Sequence, residues 1–269
     1  MPVKLSNLKI IVRGAGEMAT GTAYRLHRSG FFRLLMTEIE QPLTVRRTVS
    51  FSEAVYAGAW TVEGVQSIRI AEPGETYDVW ERRMVPVIVD PGIRSKDDLR
   101  PDVIVDAILA KRNLGTTLDC APLVIGLGPG FHAGRDVHYV VETDRGHNLG
   151  RVISDGTAAA DTGIPGNIQG ETIRRVLRAP KEGVFESGIS IGTTVDAGQI
   201  VGNVAGEPVR AEMKGVLRGL IRPGTFVQKG LKIGDVDPRG EIAHCTTISE
   251  KARAIGGAVL EAILRRFNT

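Results

Sequence analysis

Two stretches of this chain repeat each other without a gap. APKEGVFESGISIGTTVDAGQIVGNV, from Ala179, aligns with AEMKGVLRGLIRPGTFVQKGLKIGDV, from Ala211, at an offset of 32 residues. Gly183 pairs with Gly215, Val195 with Val227, Gly198 with Gly230, Gly202 with Gly234 and Val204 with Val236. Each copy alternates short apolar runs with glycine turns, the pattern of short strands in a small β structure with two-fold pseudo-symmetry.

Two such copies interlocked make a barrel-sandwich hybrid, and residues 177–239 resemble the biotinyl/lipoyl domain family. In that family the modified lysine occupies the hairpin tip between the halves. Here the link is Ala205-Gly206-Glu207-Pro208-Val209, which has no lysine. Lys214, beside Met213, matches Glu182 of the first copy and reads as a solvated turn lysine. No biotin or lipoyl group is therefore expected on Lys214, and the module is read as a docking surface or a structural lid.

The amino-terminal part has another period. Leu8 to Val12 is a short apolar run of the kind found in buried parallel strands. Gly14, Gly16 and Ala19 follow as GxGxxA, then Gly21 and a segment of helical spacing that ends at Gly30. Such a loop needs one glycine for a tight turn, a second for close approach to a pyrophosphate and a small third residue for helix packing; the helix amino terminus then faces the anion. A second strand, about Arg33 to Thr37, ends at Glu38, where an acid would hold a ribose hydroxyl. Arg46 and Arg47 are read either as contacts to a 2′-phosphate or as loop charges.

Further apolar runs at 85–90, 102–108, 122–128 and 137–143 supply the remaining strands of an open sheet. Glycines and charges gather at their carboxyl ends, where such sheets bind ligands. Gly126, Gly128 and Gly130 could form a backbone anion nest, with Lys111, Arg112 and Arg145 as phosphate contacts. His147 and Lys111 are candidate proton donors or acceptors. His132, His138 and His244 lack the spacing of a metal set, so no metal site is expected. Near the end, Ser249 is a predicted N-cap, Glu250 opens a helix, and Ala252, Ile255, Val259, Leu260 and Ile263 mark its apolar face. Gly256-Gly257 would let that helix approach a neighbour closely. Cys245 precedes it, where a helix dipole could make a thiol reactive.

The expected fold is α/β: a Rossmann-like, mostly parallel sheet over 1–172, the barrel-sandwich hybrid over 173–239 inserted near the C-terminus, and a terminal helix within 240–269 packing back on the first domain. With 34 basic against 31 acidic residues the net charge is +3, too dispersed to announce a nucleic-acid partner. No segment offers about 18 uninterrupted apolar residues, and MPVKLSNLKIIV lacks a signal-peptide pattern, which points to the cytoplasm and away from membranes. Cys120 and Cys245 lack the spacing of a zinc or redox pair.

RGAGEMATG, MTEIEQPLTVRRTVSFSEAVY, DAILAKRN, APLVIGLGPGF, VVETDRGHNLGRVI, LKIGDVDPRG and KARAIGGAVLEAI together resemble the bacterial accessory proteins of the selenium-dependent molybdenum hydroxylase system. That family is described as having a Rossmann domain similar to that of the xanthine dehydrogenase accessory proteins. Its pattern has Asp-Leu where this chain has Glu17-Met18, and methionine where it has Cys120. The resemblance implies a role in maturing a molybdenum hydroxylase, with that enzyme or its maturation factors as partners, and leaves catalysis open. Three functions follow: delivery of a nucleotide or molybdenum cofactor dinucleotide from the crevice, an NAD(P)-dependent oxidoreductase, or a selenium or sulfur carrier using Cys245. A nucleotide-type small molecule is the expected ligand; homo-oligomerisation is left open.

Overall fold

The computed structural model describes residues 4–268. The chain forms two compact units, one of Met1–Pro42, Phe51–Asp161 and Ile248–Thr269, the other of Leu43–Ser50 and Thr162–Thr247. The second unit is thus larger than the module read from the repeat, and it takes in the short early segment 43–50. Together they make a mixed α/β protein with one large, mostly parallel sheet and two smaller antiparallel sheets. Among the described residues no helix is long and apolar enough to cross a membrane.

The first unit is built on β1 (Ile10–Arg13), β2 (Leu34–Glu38), β3 (Ala59–Val62), β4 (Val65–Ile70), β5 (Val85–Val89), β6 (Val103–Asp106), β7 (Leu123–Leu127), β8 (Tyr139–Val141) and β9 (Val152–Ile153). Their order is β3-β4-β5-β2-β1-β6-β7-β8-β9. Pairing is parallel from β4 through to β8, while β3 and β9 close the edges antiparallel. The inner strands β1 and β7 are buried at every residue, as strands covered on both faces must be. The helices are α1 (Glu17–Arg28), α2 (Ala54–Ala57), α3 (Thr76–Glu81), α4 (Ser95–Leu99) and α5 (Glu250–Phe267).

Ser249 caps α5 by accepting the Ala252 amide at 3.3 Å, and Ala252, Ile255, Val259 and Ile263 are fully buried. This helix lies directly on α1. A Cβ at Gly21 would stand 2.7 Å from the Ala252 Cβ, and one at Gly256 would stand 2.7 Å from the Gly21 carbonyl oxygen. Side chains at either position would force the axes apart. Gly257, by contrast, has open space around it.

The second unit comprises β10 (Val176–Arg178), β11 (Gly183–Glu186), β12 (Thr194–Val195), β13 (Ile200–Val204), β14 (Glu207–Arg210), β15 (Gly215–Leu220), β16 (Phe226–Val227) and β17 (Lys232–Asp237). Two four-stranded sheets result, β10-β17-β15-β12 and β14-β13-β11-β16. The 32-residue offset carries β10 onto β14, β11 onto β15, β12 onto β16 and β13 onto β17, and so converts one sheet into the other. Each sheet holds strands from both copies, and neither closes into a barrel. The core obeys the same offset: Leu177 and Val209, Phe185 and Leu217, Val195 and Val227, Val201 and Ile233, and Val204 and Val236 are all buried in one cluster. Between β13 and β14 the chain turns through Ala205 and Gly206, with φ of +47° and +82°, the left-handed pair that suits a two-residue hairpin.

The helix contact gives two substitutions of opposite sign. In a helix interior, alanine for glycine adds roughly 1 kcal/mol, so Gly257→Ala should raise the urea midpoint. Gly21→Ala gains the same propensity but collides with Ala252, and overpacking of this kind costs about 1–3 kcal/mol; its midpoint should fall.

Candidate functional site

The order of the large sheet reverses between β1 and β6, and open α/β sheets take ligands beyond the carboxyl ends of their strands at such a point. The glycine loop after β1 lies there. Gly14 has φ of +98°, and a Cβ on it would come within 3.2 Å of the Ala107 carbonyl oxygen, so the loop runs hard against the segment leaving β6. Its amide donates to Thr37 O at 2.8 Å. Next, Ala15 N donates to Glu38 Oε2 at 2.9 Å, and Ile39 N donates to Glu38 Oε1 at 2.8 Å. Burial raises the Glu38 carboxyl above its usual range, while the Ile39 and Ala15 amides pull it down. Gly16 is the N-cap of α1 and supplies no capping side chain, so the first turn presents its amides without a protein oxygen from that position. Ala19 is fully buried in α1, and Gly21 serves the contact with α5.

A buried ion pair braces the floor. Arg13 Nη1 donates to Asp106 Oδ2 at 3.1 Å and to Thr116 Oγ1 at 2.9 Å, and Arg13 Nη2 reaches the carbonyls of Pro91 and Leu114. Thr116 Oγ1 in turn donates to Asp106 Oδ2 at 2.6 Å. One guanidinium thereby ties together the segments after β5 and β6.

The second glycine loop has a packing reason at each position. A Cβ on Gly126 would meet the Phe131 ring at 2.5 Å, one on Gly128 the Thr143 hydroxyl at 2.5 Å, and one on Gly130 the Arg112 backbone at 2.7 Å. Of the expected phosphate contacts, Lys111 Nζ is 2.5 Å from Asp161 Oδ1, and Arg145 is paired with Glu250. Arg112 and His147 are exposed. Lys251 lies in the first turn of α5. Burial, and then Arg145, lower its ammonium from the usual lysine value; Glu17 and Asp144 act in the other direction, and Lys111 adds to the lowering. A cavity of about 520 Å³ opens at the opposite, amino-terminal edge of the sheet, lined by Lys96, Arg100, Asp102 and Cys120 among others. Among the described residues no group of three or more His, Cys, Asp or Glu could hold a metal ion.

Arg46 and Arg47 belong to the second unit. Arg46 Nη2 donates to the carbonyls of His244 and Thr247, and Arg47 Nε to that of Leu220, so both are tied to backbone carbonyls of their own unit. Cys245 lies in the same unit, 2% exposed, and burial pushes its thiol up against the pull of Arg46 and Arg218. That is the reverse of an activated carrier thiol. Beside it runs a buried ionic chain. Arg175 and Arg218 donate to Asp235 at 2.9 and 2.6 Å, Arg218 is 3.3 Å from Asp237, and Arg239 donates to Asp237 at 2.6 Å. Burial alone would raise the Asp237 carboxyl, but the Arg239 side chain and amide and the Arg218 charge outweigh it and bring the value from 3.8 to about 2.

No family model matches the chain. It is 49% identical over 255 residues, 95% of its length, to the uncharacterized protein YqeB of Escherichia coli K12, and spans about half (47%) of that relative. Among solved structures, a succinylglutamate desuccinylase/aspartoacylase from Rhodobacter sphaeroides is 21% identical over 32% of this chain and 29% of its own (TM-score 0.23). An aspartoacylase family protein from Mesorhizobium loti is 13% identical over 84% and 83% (TM-score 0.28), and TcdA (CsdL) is 13% identical over 98% and 90% (TM-score 0.37). Scores this low carry no activity across to this chain. The expectation of a molybdenum hydroxylase accessory protein is corrected on this point: the similar structures include desuccinylase and aspartoacylase family proteins and TcdA (CsdL) rather than xanthine dehydrogenase accessory proteins, and the curated relative is uncharacterized. With it fall the maturation role, the selenium and molybdenum setting, the NAD(P)-dependent oxidoreductase and the Cys245 carrier.

The Asp237 value sets an acid limit for the second unit. Its folded value lies below the unfolded one, so its contribution, about 2 kcal/mol, is complete above about pH 4 and is lost as the pH falls through about 2. Asp237→Asn should lower stability at pH 7 by about 2–4 kcal/mol and flatten this acid limb in denaturation curves taken from pH 7 to pH 2.

Proposed function

We propose that the first unit is a Rossmann-like fold that binds a phosphate-bearing small molecule of the nucleotide type at the β1/β6 crevice, and that the second is an unmodified barrel-sandwich hybrid. The observation that carries this reading is the coincidence of three features at one edge. The strand order reverses beside the Gly14–Gly16 loop, that loop leads into the uncapped amino terminus of a 12-residue helix, and a carboxylate ends the neighbouring strand. Helix-terminal amides suit phosphate oxygens, and Glu38, already held by two amides, keeps further lone pairs for a hydroxyl donor. Gly14, Gly16 and Glu38 are the proposed ligand-binding residues. The Gly126–Gly130 loop backs the crevice wall. Lys111 and Arg145 would take part by exchanging Asp161 and Glu250 for the ligand.

The test is thermal melting of the purified protein with AMP, ADP, ATP and inorganic pyrophosphate. A ligand at one hundred times its Kd stabilises by about 2.7 kcal/mol, a rise of roughly 5–10 °C for a chain of this size. Gly16 has φ of −69° and ψ of −175°, which valine also adopts, so Gly16→Val should fold and lose the rise. Glu38→Ala should lose the preference for nucleotides over pyrophosphate. An undiminished response in Gly16→Val would remove the crevice as the site.

A further inference from the structure

We infer that the outer face of the β11/β16 pair in the second unit docks an extended, basic segment of a partner protein, one that presents an apolar side chain with a cation two residues away. The 32-residue repeat gives this face a twin for comparison. On the twin sheet, Val216 and Arg218 of β15 stand on either side of Leu217 and outside the core cluster that holds it, as alternation along a strand requires. They are nevertheless only 1% and 6% exposed, because the chain covers that side itself. Val45 O accepts from Leu220 N at 2.8 Å, a Cβ on Gly219 would stand 2.9 Å from the Val45 side chain, and Cys245 Sγ lies 4.0 Å from the Leu217 carbonyl oxygen. Arg46 joins the two covering stretches by donating to His244 O.

The counterparts on the other sheet, Val184 and Glu186, stand on either side of core-held Phe185 in the same way and are bare: Val184 is 44% exposed and Glu186 is exposed. A sheet face left to water should turn polar. This one has gone the other way, for Phe226, in register with Val184 and 50% exposed, stands where the covered sheet has Thr194. The charge is inverted as well. Glu186 occupies the place of Arg218, and Glu182, just before the strand, that of Lys214. Neither carboxylate has a hydrogen bond or ion pair among the described residues, and Lys181 between strand and turn is taken by Glu207 at 3.7 Å. An extended segment repeats every two residues, so one apolar side chain laid on Val184 and Phe226 brings the side chain two positions on toward Glu186, where arginine or lysine completes a charge-assisted contact. The twin's own cover, with Val45 followed by Arg46 and Arg47, is a segment of that composition.

The probe is a labelled heptapeptide, Thr-Arg-Thr-Val-Thr-Arg-Thr, which offers the apolar residue and a cation two positions away in either strand direction; its binding to the full chain is read by fluorescence anisotropy. A Kd at or below about 1 mM is expected for so small a contact, weakening as salt rises because the glutamates are exposed. Phe226→Ser and Glu186→Lys should each weaken binding by about tenfold or more. Both variants should melt as the wild type does, since the two side chains lie on the surface. With the charges exchanged, the Glu182→Lys/Glu186→Lys chain should bind the peptide that carries glutamate in place of arginine, and the wild type should not. A wild type that leaves the heptapeptide free, or binding indifferent to Phe226→Ser and Glu186→Lys, overturns the proposal. So does sedimentation in which the chain dimerises and Phe226→Ser makes it monomeric, because a second copy is then the occupant.

Discussion

Two helices that touch backbone to backbone hold the first unit in register. Gly21 and Gly256 let α1 and α5 meet so closely that a single methyl group at either would displace them. The contact joins residues more than two hundred positions apart, with the whole repeat module lying between them in sequence. Because α1 begins at the glycine loop, this one contact also fixes where that loop's helix end stands relative to α5. The edge proposed to bind a ligand is in this sense a by-product of packing, since the helix terminus there is set by a glycine a turn further along.

Much of this was readable in the amino-acid order. Strands buried on both faces announce themselves as apolar runs: β5 and β7 fall within such runs, and β1 and β6 do so up to their closing Arg13 and Asp106. The repeat located its strands because glycine turns recur at the same offset. The β3–β4 hairpin was missed, being an edge element whose residues alternate between buried and partly exposed and form no run. The segment 43–50 was assigned with its sequence neighbours, although Val45, Arg46 and Arg47 bond to carbonyls and amides around residues 220 and 244. Nothing local foretells that.

The charged residues were the hardest to read. Lys111, Arg145 and Arg46 looked free because their partners stand far along the chain. Glycine was ambiguous for a related reason. Gly14 and Gly128 both have positive φ, yet one turns the loop ahead of an open helix end and the other makes room for a threonine hydroxyl. The functional setting drawn from family resemblance also failed, whereas the readings tied to periodicity and spacing kept their coarse form.

The repeat in the second unit is symmetric in its core and asymmetric outside it. Arg218, Asp235 and Asp237 are buried and linked, whereas their counterparts 32 residues earlier, Glu186, Asn203 and Ala205, are partly or fully exposed. Strand exchange explains why the halves nevertheless behave as one object. The β12 strand of the first copy hydrogen-bonds to β15 of the second, and β16 of the second to β11 of the first. Neither half can open while the other stays paired, since each would leave a torn sheet edge in both layers. Amide exchange across the two sheets should then follow a single opening event rather than two, with the ionic chain setting the level for the whole unit.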